Sequence, residues 1–183
     1  MDEGFTLIEL MVVLLIIAIL LAIAIPTFLG ARGTANARSA QENVRNALTA
    51  EMDDWASNQT FGNSLAVDEP SLTWQTVGLA ATAKGQPVVE TGLYSLSVNT
   101  GTGAVTATAA TANADGVEIV DYGKDGNCYA LFQSNNSSLG FSAYQQFPAA
   151  SSAPFCSLAT APTAKPATGT AAANASAGWY SSF

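Results

Sequence analysis

The chain has 183 residues, a net charge of −8 and only 11% charged residues, so its surface is polar without being charged. The few basic residues are scattered along the sequence, which leaves no electrostatic footprint for nucleic acid. Histidine is absent and the two cysteines stand far apart, removing the usual zinc ligands and any Cys/His or Ser/His arrangement, so no enzyme activity, metal or cofactor is expected.

The first element is an apolar run, Phe5 to Leu29, unbroken hydrocarbon and alanine from Leu10 to Ile25. As a helix it is long enough to cross the roughly 30 Å apolar layer of a bilayer. Glu9 stands inside this run, where a carboxylate costs on the order of 2.5–3.5 kcal/mol at full depth, so it calls for a functional reason and a partner. Pro26 supplies no N–H and clashes with the preceding turn, and Gly30 and Gly33 loosen the backbone beyond it. A kink or locally opened turns are expected between Ile23 and Gly33.

The junction before the run reads Gly4-Phe5-Thr6-Leu7-Ile8-Glu9. This resembles the type IV prepilin (class III) signal, and Pro26 matches the proline common in type IV pilin helices. The resemblance covers about residues 4–38. It implies that a prepilin peptidase cuts after Gly4 and N-methylates Phe5, that the chain sits in the cytoplasmic membrane before assembly, and that pilus assembly machinery then packs the N-terminal helix into a homo-oligomeric helical filament. Glu9 would pair there with the Phe5 amine of a neighbouring subunit, helped by the Thr6 hydroxyl. One departure is that only Met1, Asp2 and Glu3 precede the glycine, where such leaders usually carry Lys or Arg; the start is read as a truncation of a longer, basic leader. The basic residues nearest the run, Arg32 and Arg38, lie on its far side, so a literal positive-inside count opposes the pilin topology.

Beyond the anchor about 150 residues remain, enough for one modest domain. Ala37, Ala40, Val44, Ala47/Leu48, Met52 and Trp55 recur at helical spacing, extending the helix to about Trp55, some 75 Å in all, with a narrow apolar face that needs a partner. Residues 57–84 read as loop, with Leu72–Val77 a short strand or a first helical turn. Leu93–Val98 and Ala104–Ala109 alternate with period two across turn residues at 99–103, and Val117–Tyr122 and Cys128–Phe132 are strand candidates that bracket a D-G turn at 123–127. They predict two sequential hairpins in an antiparallel meander burying Leu93, Val98, Val105, Ile119 and Leu131 against the helix. Phe141, Tyr144 and Phe147, three apart, suggest a short turn. Residues 157–178 are low-complexity Ala/Thr/Pro/Ser/Gly, ending in a terminal Trp179, Tyr180 and Phe183 expected to anchor on the domain.

Cys128 and Cys156, an even pair in an apparently exported chain, point to a disulfide and an oxidising compartment. Asp121, Asp125 and Asn127 offer oxygen ligands around a turn, but a hairpin turn is the favoured reading because the further ligands and distal Glu of a calcium loop are missing.

The expected fold is therefore α+β: a long N-terminal helix, kinked near Pro26, on a C-terminal antiparallel sheet. The boundaries are a leader at 1–4, a transmembrane or filament-core helix at 5–29, an amphipathic helix at 30–56, a head at 57–156 and a tail at 157–183. The function implied is that of a structural subunit, the major pilin of a surface filament. The alternatives are a type II secretion or competence pseudopilin, sharing the same N-terminus, and a membrane-anchored exported binding domain.

Overall fold

One helix, α1, runs from Leu7 to Asn58 in the computed structural model, which describes residues 4–62, 69–76, 84–85, 87–98, 105–110, 113–136, 139–151 and 156. The chain divides into two compact units, residues 1–35 and 36–183, the second called the head below. In the first unit every described side chain is exposed, including Leu10, Ile16, Leu20 and Ile25. A helix apolar all round its circumference has no single face to bury in a globular core, which is the pattern of a membrane span. α1 stays helical through Pro26, Gly30 and Gly33, and none of the opened turns expected between Ile23 and Gly33 is present. Next to the proline, Thr27 Oγ1 donates to the carbonyls of Ile23 (3.2 Å) and Ala24 (2.9 Å), giving the locally disturbed backbone an alternative donor.

In the head, α1 buries Ala40, Val44, Ala47, Ala50 and Glu51. Ala37, Leu48 and Trp55 pack partly buried beside them, whereas Met52, expected on this stripe, is 37% exposed. At 3.6 residues per turn the position three turns on from Ala40 is 51 rather than 52, so geometry turns Glu51 inward and Met52 outward.

The stripe lies on a six-stranded sheet: β1 Thr73–Thr76, β2 Val88–Val98, β3 Val105–Ala109, β4 Gly116–Tyr122, β5 Asn127–Asn136 and β6 Leu139–Pro148. The order is β1-β2-β4-β5-β6, with β3 also paired to β2. All pairs are antiparallel except β1 with β2, so the sheet is mixed, and β4 lies beside β2 rather than beside β3 as a meander requires. The length of β2 explains the difference. Its Val89–Tyr94 part pairs with β4 and its Tyr94–Val98 part with β3. Leu93 and Tyr94 turn their carbonyls to opposite edges, one accepting from Ala110 N and the other from Asp115 N, both at the corner that brings the chain back to β4. Asp115 secures that corner by accepting from Leu96 N and Asn136 Nδ2, both at 2.6 Å. Residues 141, 144 and 147 are not a turn: they belong to β6, with Phe141 and Phe147 on one face and Tyr144 on the other.

Both faces of the sheet are buried. Towards α1, Leu93, Val117, Ile119, Tyr129 and Leu131 pack with Phe61 on the helical stripe. The side chains of Val98 and Val105, expected in this layer, lie outside the described residues, as do the 99–103 turn and the 157–183 tail. On the opposite face, Val120, Ala130, Phe132, Phe141 and Ala143 surround the Cys128–Cys156 disulfide, whose Cα atoms are 5.7 Å apart. The β4–β5 turn has Gly126 at φ 90°, the left-handed region that the D-G signal anticipates.

Two buried carboxylic acids stand in the helix-facing layer. Glu51 is fully buried with neither oxygen hydrogen-bonded, and burial pushes its pKa up to about 8; the Gly62 amide offsets part of this and the Asp54 charge adds to it. Asp121 Oδ2 accepts from Asn43 Nδ2 at 2.9 Å, tying β4 to α1, while burial of the carboxyl raises its pKa to about 6. Both folded values exceed the ordinary 4.5 and 3.8, so the folded head binds more protons than the unfolded chain across pH 4.5–8. Its stability should fall as pH rises through this window, by about 1.4 kcal/mol per unit for each group while that group is titrating. Thermal melts from pH 5 to 8 should show a falling midpoint, with Glu51→Gln removing most of the slope above pH 6; a flat or rising wild-type midpoint contradicts the assignment.

The disulfide spans 28 positions, and closing such a loop contributes about 3–4 kcal/mol in the chain-entropy model. Cys128→Ser should lower the melting midpoint by about 10 °C, leaving membrane insertion intact. Alkylation of both thiols in the native, unreduced protein would show that the bond is not present.

Candidate processing and assembly site

The N-terminus is built on one helix start. Gly4, Phe5 and Thr6 lie outside the helix and α1 begins at Leu7. The reason is in the side chains. Thr6 N and Thr6 Oγ1 both donate to Glu9 Oε2, at 2.9 and 2.6 Å, while Glu9 N donates back to Thr6 Oγ1 at 3.3 Å. This is a capping box, in which the N-cap hydroxyl and the carboxylate three residues on satisfy amides that the first turn leaves without partners. The carboxylate also sits favourably at the positive end of the helix dipole.

The two Thr6 donors converge on Oε2, and Oε1 accepts no hydrogen bond among the described residues. Around it, Phe5, Ile8, Val12 and Val13 line a shallow apolar groove on the helix surface, with Phe5 85% exposed. The site therefore presents a carboxylate with one open oxygen in apolar surroundings, beside an exposed aromatic. A side chain added at Gly4 would meet nothing within 4 Å. Any requirement for glycine there must therefore come from an enzyme approaching the backbone.

The remaining sequence-derived sites fall elsewhere. Pro26, Gly30 and Gly33 are exposed positions within α1, and Cys128 and Cys156 are bonded in the head. The Asp125 turn is structural: Asp125 accepts from Tyr129 Oη at 2.6 Å and Asn127 Nδ2 at 2.7 Å. No group of three or more His, Cys, Asp or Glu converges among the described residues. Sequence reasoning missed the capping box, although Thr6-x-x-Glu9 spells it, because the apolar context drew attention to the charge rather than to the spacing. It also missed buried Glu51, for which the helical period was the available signal.

Residues 1–25 match the family model described as the prokaryotic N-terminal methylation motif. No curated protein and no solved structure matches the chain. The motif, the long apolar helix and the α+β arrangement fit a type IV pilin-like prepilin, anchored in the membrane before assembly and processed by a prepilin peptidase.

The capping box makes a direct prediction. Thr6→Val keeps the shape and removes the hydroxyl, which should destabilise the first turn by about 1 kcal/mol. In detergent micelles, amide exchange at residues 7–9 should quicken by about fivefold, the equivalent of that energy, with the middle of α1 unchanged. Unaltered exchange would mean that the cap does not hold the turn.

Proposed function

We propose that the chain is the major structural subunit of a type IV pilus: cut after Gly4, N-methylated at Phe5, and polymerised through the first half of α1 into an extracellular homo-oligomeric filament. It performs no chemistry of its own in this reading, being the substrate of the peptidase and methyltransferase. The observation that carries it is Glu9 with Oε1 open, set in an apolar helix surface that its own chain leaves uncovered. Cleavage gives Phe5 a new α-amino group, positively charged near neutral pH. Where such helices pack side by side with little water, each charge needs an opposite one within a few ångströms, and removing one partner costs about 3–5 kcal/mol. Glu9 can keep its cap through Oε2 and accept the amine of a neighbouring subunit through Oε1. The disulfide-closed head favours a pilin over a secretion pseudopilin.

Lipid and filament respond oppositely to loss of this carboxylate. A single helix in lipid loses little or even gains without it, whereas a filament core is left with an uncompensated amine. In cells carrying Glu9→Leu as the sole subunit, membrane insertion and cleavage should persist while surface filaments collapse. Mass spectrometry of wild-type filaments should find N-methyl-Phe5 as the first residue of their main component. Abundant normal filaments from Glu9→Leu, or an unmodified N-terminus, would refute the assignment.

A further inference from the structure

The two faces of the head's sheet are closed in different ways. Towards the helix the cover is α1 itself. On the other face Val120, Ala130, Phe132 and Ala143 are fully buried, at 0% exposure, and Leu96, Tyr122 and Phe141 nearly so. Every residue of that cluster belongs to a strand of the sheet, apart from Ala149, which directly follows β6, and Cys156. Side chains standing side by side on one face leave their outer ends to solvent. One cysteine does not enclose a face that runs from β2 to β6, about 15 Å at the usual strand spacing. The face therefore has a cover that the described residues do not supply.

Cys156 marks where this cover begins. Its bond to Cys128 fixes it on β5 opposite Phe147, and residues 157–183 follow it directly. Such a segment can extend up to about 90 Å, enough to cross the face and return, whereas the longest stretch left undescribed between described residues is 77–83. Its composition suits the task. Ala, Thr and Ser predominate, small enough to lie close on a sheet, and Lys165 is its one charged side chain, so laying it on an apolar face desolvates little charge. About 13 Å along β5 from the disulfide stands an aromatic row. The Phe132 ring lies 5.8 Å from that of Tyr94 and 5.7 Å from that of Phe141. Gly116 of β4 makes room for it, because a Cβ there would meet Phe132 Cζ at 3.1 Å. We propose that residues 157–183 form the outer wall of the head, rooted by the disulfide and seating Trp179, Tyr180 and Phe183 against the Tyr94–Phe132–Phe141 row. Aromatic rings pack well on such a row through offset or edge-to-face contacts. The wall replaces an apolar patch, of the kind that drives association when bare, with a surface of Ser and Thr hydroxyls. The inference concerns the head alone and is independent of the filament reading.

The test is hydroxyl-radical footprinting of the full chain in detergent micelles. Tyr94, Phe132 and Phe141 report on the outer face, and Phe61 and Tyr129 on the helix-facing layer. In a chain ended after Ser157 the first three should lose their protection while the last two keep theirs. The full-length variant Trp179→Ser, Tyr180→Ser, Phe183→Ser should lose protection at the same three residues with its disulfide intact. Wild-type protection of the outer face in either variant overturns the proposal. A photoreactive benzophenone amino acid in place of Tyr180 locates the segment directly, in a mixture of unlabelled and isotope-labelled chains. Cross-links should form within one chain, to residues of β2, β5 or β6 on the outer face. Cross-links to the helix-facing layer overturn the proposal, as does the lack of any cross-link to the sheet. Cross-links joining labelled to unlabelled chains give the face to a second copy and overturn it too. Where the shortened chain fails to fold, seen as lost protection at Phe61 and Tyr129 as well, the cross-link decides.

Discussion

The constraint on which the rest depends is an apolar helix surface that stays exposed among the described residues. From Leu7 to Leu29 the large side chains of α1 are exposed, and each Leu, Ile or Val left in water forgoes about 1.5–3 kcal/mol that burial would return. No marginally stable fold of this size sustains that many such deficits, so the segment requires either lipid or other apolar helices around it. In the function proposed here the chain uses both in succession, lipid while anchored and neighbouring subunits once assembled. The head obeys the opposite rule: its helical stripe of Ala40, Val44 and Ala47 is closed against the sheet within the same chain.

The change between the two regimes shows in residue size as well as polarity. The exposed half of α1 is built from Leu, Ile and Val, whereas the stripe in the head is mostly alanine, which lets the helix backbone come close to the sheet. Bulk is then supplied from the other side by Tyr129, Ile119, Leu131 and Phe61. Trp55 closes the end of the helix, its ring centre 4.8 Å from that of Phe61, and the Phe61–Ala114 bridge joins the chain leaving the helix to the sheet corner. Low charge and small side chains suit a head held by close backbone approach and one disulfide.

Much of this was legible beforehand, and the failures have physical causes. Gly4, Phe5 and Glu9 stand in one register with an apolar run, a signal independent of tertiary contacts, and the strands alternate cleanly where one face differs from the other. Alternation fails at β4, buried on both faces along its whole length, and at the first half of β2, where Glu90 and Gly92 look like loop. Pairing order is a tertiary fact: sequence adjacency suggested β3 beside β4, but the corner at Asp115 sends β4 back to β2. Residue identity also misled at Met52, where hydrophobicity outvoted the helical period that places Glu51 inside.

Glu51 and Glu9 are two carboxylates on one helix with opposite solutions to poor solvation. Glu51 is enclosed by its own chain without hydrogen bonds, and its raised pKa means that it can remain neutral in the folded head. A neutral acid requires no partner charge, so this position is complete within the monomer. Glu9 is held by two donors from Thr6 on a single oxygen, which leaves its other oxygen without a hydrogen bond among the described residues. A charged group in apolar surroundings is incomplete by itself, and what completes it must be cationic and must arrive along the helix surface. In the function proposed here, cleavage after Gly4 would create such a group on every copy of the chain, next to the same groove. In the function proposed here, processing and polymerisation are thereby coupled through one residue: the cut after Gly4 would also produce the charge that the open oxygen of Glu9 could accept.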